Sequence, residues 1–66
     1  MFRPEDNDEL IGQRWRKDGF EYTLVGIMYD KDDWWWTLAK AGRLNKHTQM
    51  LSCACSIEMY GFDRIE

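Results

Sequence analysis

The chain has little of what usually announces a chemistry, since its 66 residues hold one histidine, one proline and two cysteines. Each scarcity removes a class of function. His47, Cys53 and Cys55 are three potential ligands, one fewer than a closed zinc site takes, and no spacing sets the histidine beside a thiol for nucleophilic work. No group of residues meets the requirements of an active site. The expectation is a protein without catalysis, metal or cofactor. Cys53 and Cys55 are poorly placed for a mutual disulfide, and no leader pattern is visible, so a reducing cytoplasm is the expected compartment. No apolar run approaches the roughly 18 residues of a spanning helix. No membrane segment is expected.

A basic surplus is also missing. Nine Lys and Arg against twelve Asp and Glu leave a formal charge of -3, whereas nucleic-acid binders usually neutralise phosphates with an excess of cations. The charges come in blocks. Acids dominate residues 5–9 and 30–33, and bases cluster at Arg14, Arg16 and Lys17 and again at Lys40, Arg43 and Lys46.

Aromatic residues are what the chain has in quantity: four Trp, three Tyr and three Phe. A domain this small buries a low fraction of its surface and needs a staple or unusually large core residues. Aromatics burying roughly 150 to 250 Å² each supply the second. Residues 1–12 read as an acidic arm or a short helix, with Pro4 at its first turn and Gly12 at its end. Residues 13–66 read as one β domain. Strands are expected from Gln13 to Lys17, with Trp15 inward, and from Phe20 to Asp30 after a turn at Asp18-Gly19. In the second strand Phe20, Tyr22 and Leu24 share one face, and Val25, Ile27 and Tyr29 take over the other, with Gly26 at the changeover.

A third strand is expected from Trp34 to Ala39, alternating Trp34, Trp36 and Leu38 inward with Trp35, Thr37 and Ala39 outward. A loop follows from Ala41 to Lys46; the alternative is a helix near residues 39–46, which would make the fold α+β. Thr48 to Ser56 reads as the fourth strand, with Cys53 and Cys55 on one face. Ser56 is placed to cap a 3₁₀ turn ending near Gly61, and Phe62 to Ile65 closes the pattern.

Five short strands, a long bent second strand and a helical turn before the last strand resemble the SH3-like barrel. Asp32-Asp33-Trp34-Trp35 is similar to the acidic residues and Trp pair that open the third strand of SH3 domains, and Asp8-Glu9-Leu10 is similar to their acidic first loop. The resemblance implies a groove residue at Trp34 with nearby acids pairing a ligand Arg or Lys. The family's opening Ala-Leu-Tyr-Asp-Tyr motif is absent, and only Tyr60 stands in for its late Pro-x-x-Tyr.

Function is therefore sought in surfaces. Trp35 beside Asp30, Asp32 and Asp33, joined by Glu5, Asp6, Asp8 and Glu9, forms a candidate face for a protein partner with a basic surface. That description includes the small phage-type inhibitors that occlude or mimic nucleic acid on a host protein. The alternative is a nucleic-acid surface in which bases stack on Trp15 among Arg14, Arg16, Lys17, Lys40, Arg43 and Lys46. A third reading is a homodimer built on Trp35 or an open strand edge.

Overall fold

Two tight turns lay out the sheet. Lys17 pairs with Phe20 and Asp30 with Asp33, so each hairpin closes with a two-residue loop, and Asp18, Gly19, Lys31 and Asp32 all have positive φ, at 54°, 82°, 51° and 61°. Such loops match the right-handed twist of the strands they join. The computed structural model describes residues 2–41 and 48–65. Within them lie a 3₁₀ helix (Pro4–Leu10), β1 (Arg14–Lys17), β2 (Phe20–Asp30), β3 (Asp33–Lys40), β4 (Thr48–Ser52), a second 3₁₀ helix (Ile57–Tyr60) and β5 (Asp63–Arg64).

The strands form one antiparallel sheet in the order β4-β3-β2-β1-β5. Among the described residues β4 and β5 are its edges, and no strand pair closes it. The fold is thus mostly β, as the sequence indicates, with an open sheet in place of a fully closed barrel. Ala39 and Lys40 belong to β3. Ala41 is a turn residue, and residues 42–46 of the alternative helix, with the bases Arg43 and Lys46, lie outside the described residues, as does His47.

The central feature is an irregularity in β2. Leu24 pairs with Leu38 and Gly26 with Thr37, so Val25 is an extra residue, a bulge, opposite no partner of its own. A bulge lets a strand change which parity faces the core. Before it, Tyr22 and Leu24 point inward; after it, Ile27 does, opposite Trp36. The changeover expected at Gly26 therefore happens one residue earlier. Val25 is ejected to solvent at 50% exposure, and Tyr29, beyond the core, is 57% exposed.

The core gathers Trp15, Leu24, Trp36, Leu38, Leu51, Cys53, Ile57 and Phe62. These come from β1, β2, β3, β4, the second 3₁₀ helix and its flanks, so one cluster holds both ends of the sheet. Trp36 Nε1 donates to Cys55 O at 2.9 Å, which anchors the segment after β4 while keeping the indole N–H satisfied. Phe2 packs edge-on against Trp36, with ring centroids 5.4 Å apart, and touches Trp34 at 6.1 Å. The acidic arm is thereby docked by an aromatic contact, and its helix runs from Pro4 to Leu10.

Three local expectations need correction. β4 stops at Ser52, so Cys53 and Cys55 lie in the turn after it: Cys53 is buried and Cys55 exposed. Ser56 precedes the second 3₁₀ helix but makes no side-chain cap; the helix does end on Gly61, in the left-handed region at φ 89°. Phe62 belongs to the core ahead of a fifth strand of only two residues.

The bulge sets a contrast in stability. Leu38→Ala removes a fully buried side chain and is expected to cost about 2 to 5 kcal/mol. Val25→Thr, on the solvent side, is expected to stay within about 0.5 kcal/mol of the parent. Urea titration of both variants checks this, and equal losses would place Val25 in the core.

Candidate functional site

The three successive tryptophans divide among three environments. Trp36 is core at 4% exposure. Trp34 shares its face of β3 by alternation but is only half-buried, with the tilted rings of Tyr29 and Phe2 beside it at centroid distances of 5.0 Å and 6.1 Å. Its expected place in the core is therefore at the margin. Trp35 stands on the opposite, outward face, half-buried, and its Nε1 donates to Asp30 O at 3.0 Å. That bond lays the indole toward the β2-β3 turn.

The register shows what surrounds Trp35. Met28 on β2 and Ser52 on β4 are its direct partners, and the next row contains Gly26, Thr37 and Met50. Val25, Met28 and Met50 are 50%, 49% and 38% exposed. Trp35 thus sits in an apolar group that includes three side chains not singled out from the sequence. Period-two alternation from Trp35 leads to Met28 only once the bulge fixes the register.

The turn acids behave differently from one another. Asp33 Oδ1 accepts from Trp34 N at 2.8 Å and Oδ2 accepts from Ser52 Oγ at 2.9 Å. This carboxylate clamps the start of β3 to the end of β4. Asp30 and Asp32 are exposed at the tip. Lys31 and Asp32 both occupy the left-handed region, which aspartate tolerates better than lysine does. Positive φ at both positions is what a two-residue hairpin loop requires.

Glu5, Asp6, Asp8 and Glu9 are exposed on the first 3₁₀ helix. That helix is tethered through Phe2 to Trp34 and Trp36, the inward side of β3. The arm acids and Trp35 are therefore anchored on opposite faces of β3, and the single acidic surface expected from the sequence is split.

The alternative nucleic-acid set is also dispersed. Trp15 is 3% exposed and belongs to the core, so its ring is not offered to a base. Arg14 pairs with Glu21 at 3.4 Å on the outward face, and Arg16 lies exposed opposite the same Glu21. Lys17 donates to Tyr60 O at 2.9 Å and lies over the Phe62 ring, while Lys40 lies 3.6 Å from the Phe20 ring centroid.

Of the two thiols, only Cys55 is open to reagent. Burial, with Asp33 adding a like-charge effect, raises the Cys53 thiol from 9.0 to about 11. Tyr60 is also raised, chiefly by burial, and its hydroxyl donates to Ser52 O at 2.7 Å. A cleft of about 180 Å³ between the two 3₁₀ helices is lined by Leu10, Trp15, Trp36 and Ile57 with Glu58 and Arg64. It is smaller than the roughly 300 Å³ at which small-molecule sites begin. Among the described residues no group of three or more His, Cys, Asp or Glu is placed to hold a metal ion.

No family model, curated protein or solved structure matches the chain.

Two outcomes follow from these environments. Because the folded state binds the Cys53 proton more tightly than the unfolded chain, stability is complete below about pH 9 and falls as pH rises toward about 11. Urea midpoints measured across that range are expected to decline, and Cys53→Ala is expected to flatten the decline. Replacing Lys31-Asp32 by Asn-Gly relieves the positive φ values at the tip and is expected to add about 1 kcal/mol of stability. A lowered melting temperature would contradict the strain assigned there.

Proposed function

We propose that this protein is a non-catalytic protein-binding module. Its binding face is the outward side of β2, β3 and β4, where Trp35, Val25, Met28 and Met50 supply apolar contact and Asp30 and Asp32 supply negative charge. The reading is carried by one observation: exposed Val25, Met28 and Met50 flank Trp35 on a sheet face that no other described element covers. Contiguous exposed apolar groups rimmed by charge mark interaction surfaces, and a Trp fixed by its own hydrogen bond loses little freedom on binding.

The partner is a protein with a basic surface, since the tip next to Trp35 offers two free-standing carboxylates. Electrostatic matching of this kind speeds association and fixes orientation. Inhibition of a host nucleic-acid-binding protein by a small phage-type protein is one setting in which a basic partner surface is available for occlusion. The order β4-β3-β2-β1-β5, with a 3₁₀ turn before β5, supports an SH3-like reading of the architecture. The face proposed here lies on the side opposite Trp34, the position that the SH3 resemblance marks as the groove.

Asp33 is excluded from the binding test because its carboxylate is already used by Ser52 and Trp34. Capture of the native partner by immobilised protein is expected to fall at least about tenfold with Asp30→Lys plus Asp32→Lys, and again with Trp35→Ala. Undiminished capture by both variants, with their circular dichroism unchanged, would overturn the assignment of this face.

A further inference from the structure

The two edges of the sheet are built differently. β5 is two residues long and both of them, Asp63 and Arg64, are charged; shortness and charge are devices that keep an edge from pairing with another chain. β4 has no such protection. Its residues Thr48, Gln49, Met50, Leu51 and Ser52 include no charge and no proline, and it follows β3 in unbroken register, without a bulge to turn it away.

The ladder identifies which main-chain groups of β4 are spare. Cys53 N donates to Trp34 O at 2.9 Å, one step beyond the pair of Trp35 with Ser52. Antiparallel pairs alternate between hydrogen-bonded and non-bonded. Leu51 and Gln49 therefore bond to β3, while Thr48, Met50 and Ser52 turn their N–H and C=O groups to the open side. At Ser52 that side is occupied, because Tyr60 Oη donates to Ser52 O at 2.7 Å. Thr48 and Met50 are exposed, and their main-chain groups on this side have no partner among the described residues. Two donors and two acceptors thus stand along the edge, with Gln49 between them.

We propose that this edge pairs with β4 of a second copy of the chain, antiparallel about a two-fold axis at Gln49. Thr48 then lies opposite Met50 of the second copy, and Met50 opposite Thr48 of the second copy. Each of these pairs exchanges two hydrogen bonds, so four bonds use every spare main-chain group on both strands. An axis at Met50 would instead set Thr48 against Ser52, whose carbonyl already accepts from Tyr60. The occupant is a second copy because the edge is complementary to itself. Spare groups two residues apart match their own inversion, no charge on β4 is set against its like, and the residue on the axis is a glutamine. Its amide both donates and accepts, and it is exposed, so the two Gln49 side chains can bond to each other. Such pairing joins two five-stranded sheets into one. This inference goes beyond the binding face proposed above and does not depend on it.

The test is sedimentation of the whole chain over a concentration series, with amide exchange at Thr48 and Met50 followed by NMR. The expected result is a reversible dimer whose population rises with concentration, and exchange at those two amides that slows in step. Gln49→Lys sets like charges against each other across the axis and is expected to weaken dimerisation at least about tenfold, as is Gln49→Glu. An equimolar mixture of the two variants is expected to restore it as a heterodimer, with circular dichroism unchanged throughout. A parent chain that stays monomeric at every concentration would overturn the proposal. So would a dimer that tolerates both Gln49 variants, or one lost only with Trp35→Ala, which would place the contact on the outer face. Protection of Thr48 and Met50 that appears only when the native partner is added would give the edge to that partner and rule out the second copy.

Discussion

Leu24 and Ile27 are three residues apart on one strand, and both contribute to the same side of the sheet. Strict alternation forbids that, because positions separated by an odd number point to opposite faces. The extra residue Val25 resolves the conflict: it lets β2 present Leu24 to Leu38 and Ile27 to Trp36 within one ladder. Almost everything else depends on this adjustment. Without it, the half of β2 nearest the turn would offer Gly26 and Met28 to Trp36, and a domain with so few core positions could not fill its interior.

The same adjustment makes the outward face. The bulge turns Gly26 and Met28 away from the core side to join Val25 outside, and they come to lie against Thr37, Trp35 and, one strand further, Met50. Core and binding face are thus two results of one irregular residue. The turn that ends β2 adds charge to this face, while Asp33 is withdrawn from it to hold Ser52. Holding β4 in place keeps Met50 in the apolar row.

The aromatic residues show how burial is shared when a chain has little room. Trp15 and Trp36 are enclosed, Trp34 is half-covered by Phe2 and Tyr29, and Trp35 is pinned outward by its bond to Asp30 O. Phe2 is the piece that turns an acidic arm into part of the fold. Its ring closes over Trp36 and Trp34, so the arm's acids are carried to the side away from Trp35.

Much of this was legible in the residues alone. The Asp18-Gly19 turn, the span of β2, the inward Trp15 and Trp36, the outward Trp35 and the 3₁₀ turn before Gly61 all follow from local rules, because turn chemistry and period-two alternation act over a few neighbouring residues. The sequence also placed three acids beside an outward tryptophan, of which Asp30 and Asp32 stay exposed there. Tertiary structure alone decided the rest. The bulge falls at Val25 because Leu38 and Trp36 on another strand fix the register. Asp33 is a clamp and not a contact because Ser52, nineteen residues away, reaches it. Met28 and Met50 join Trp35 because cross-strand pairing brings them there, and Glu5 to Glu9 are separated from it because Phe2 docks on the other face. Each of these depends on which distant residues meet, and alternation along one strand carries no information about its neighbour.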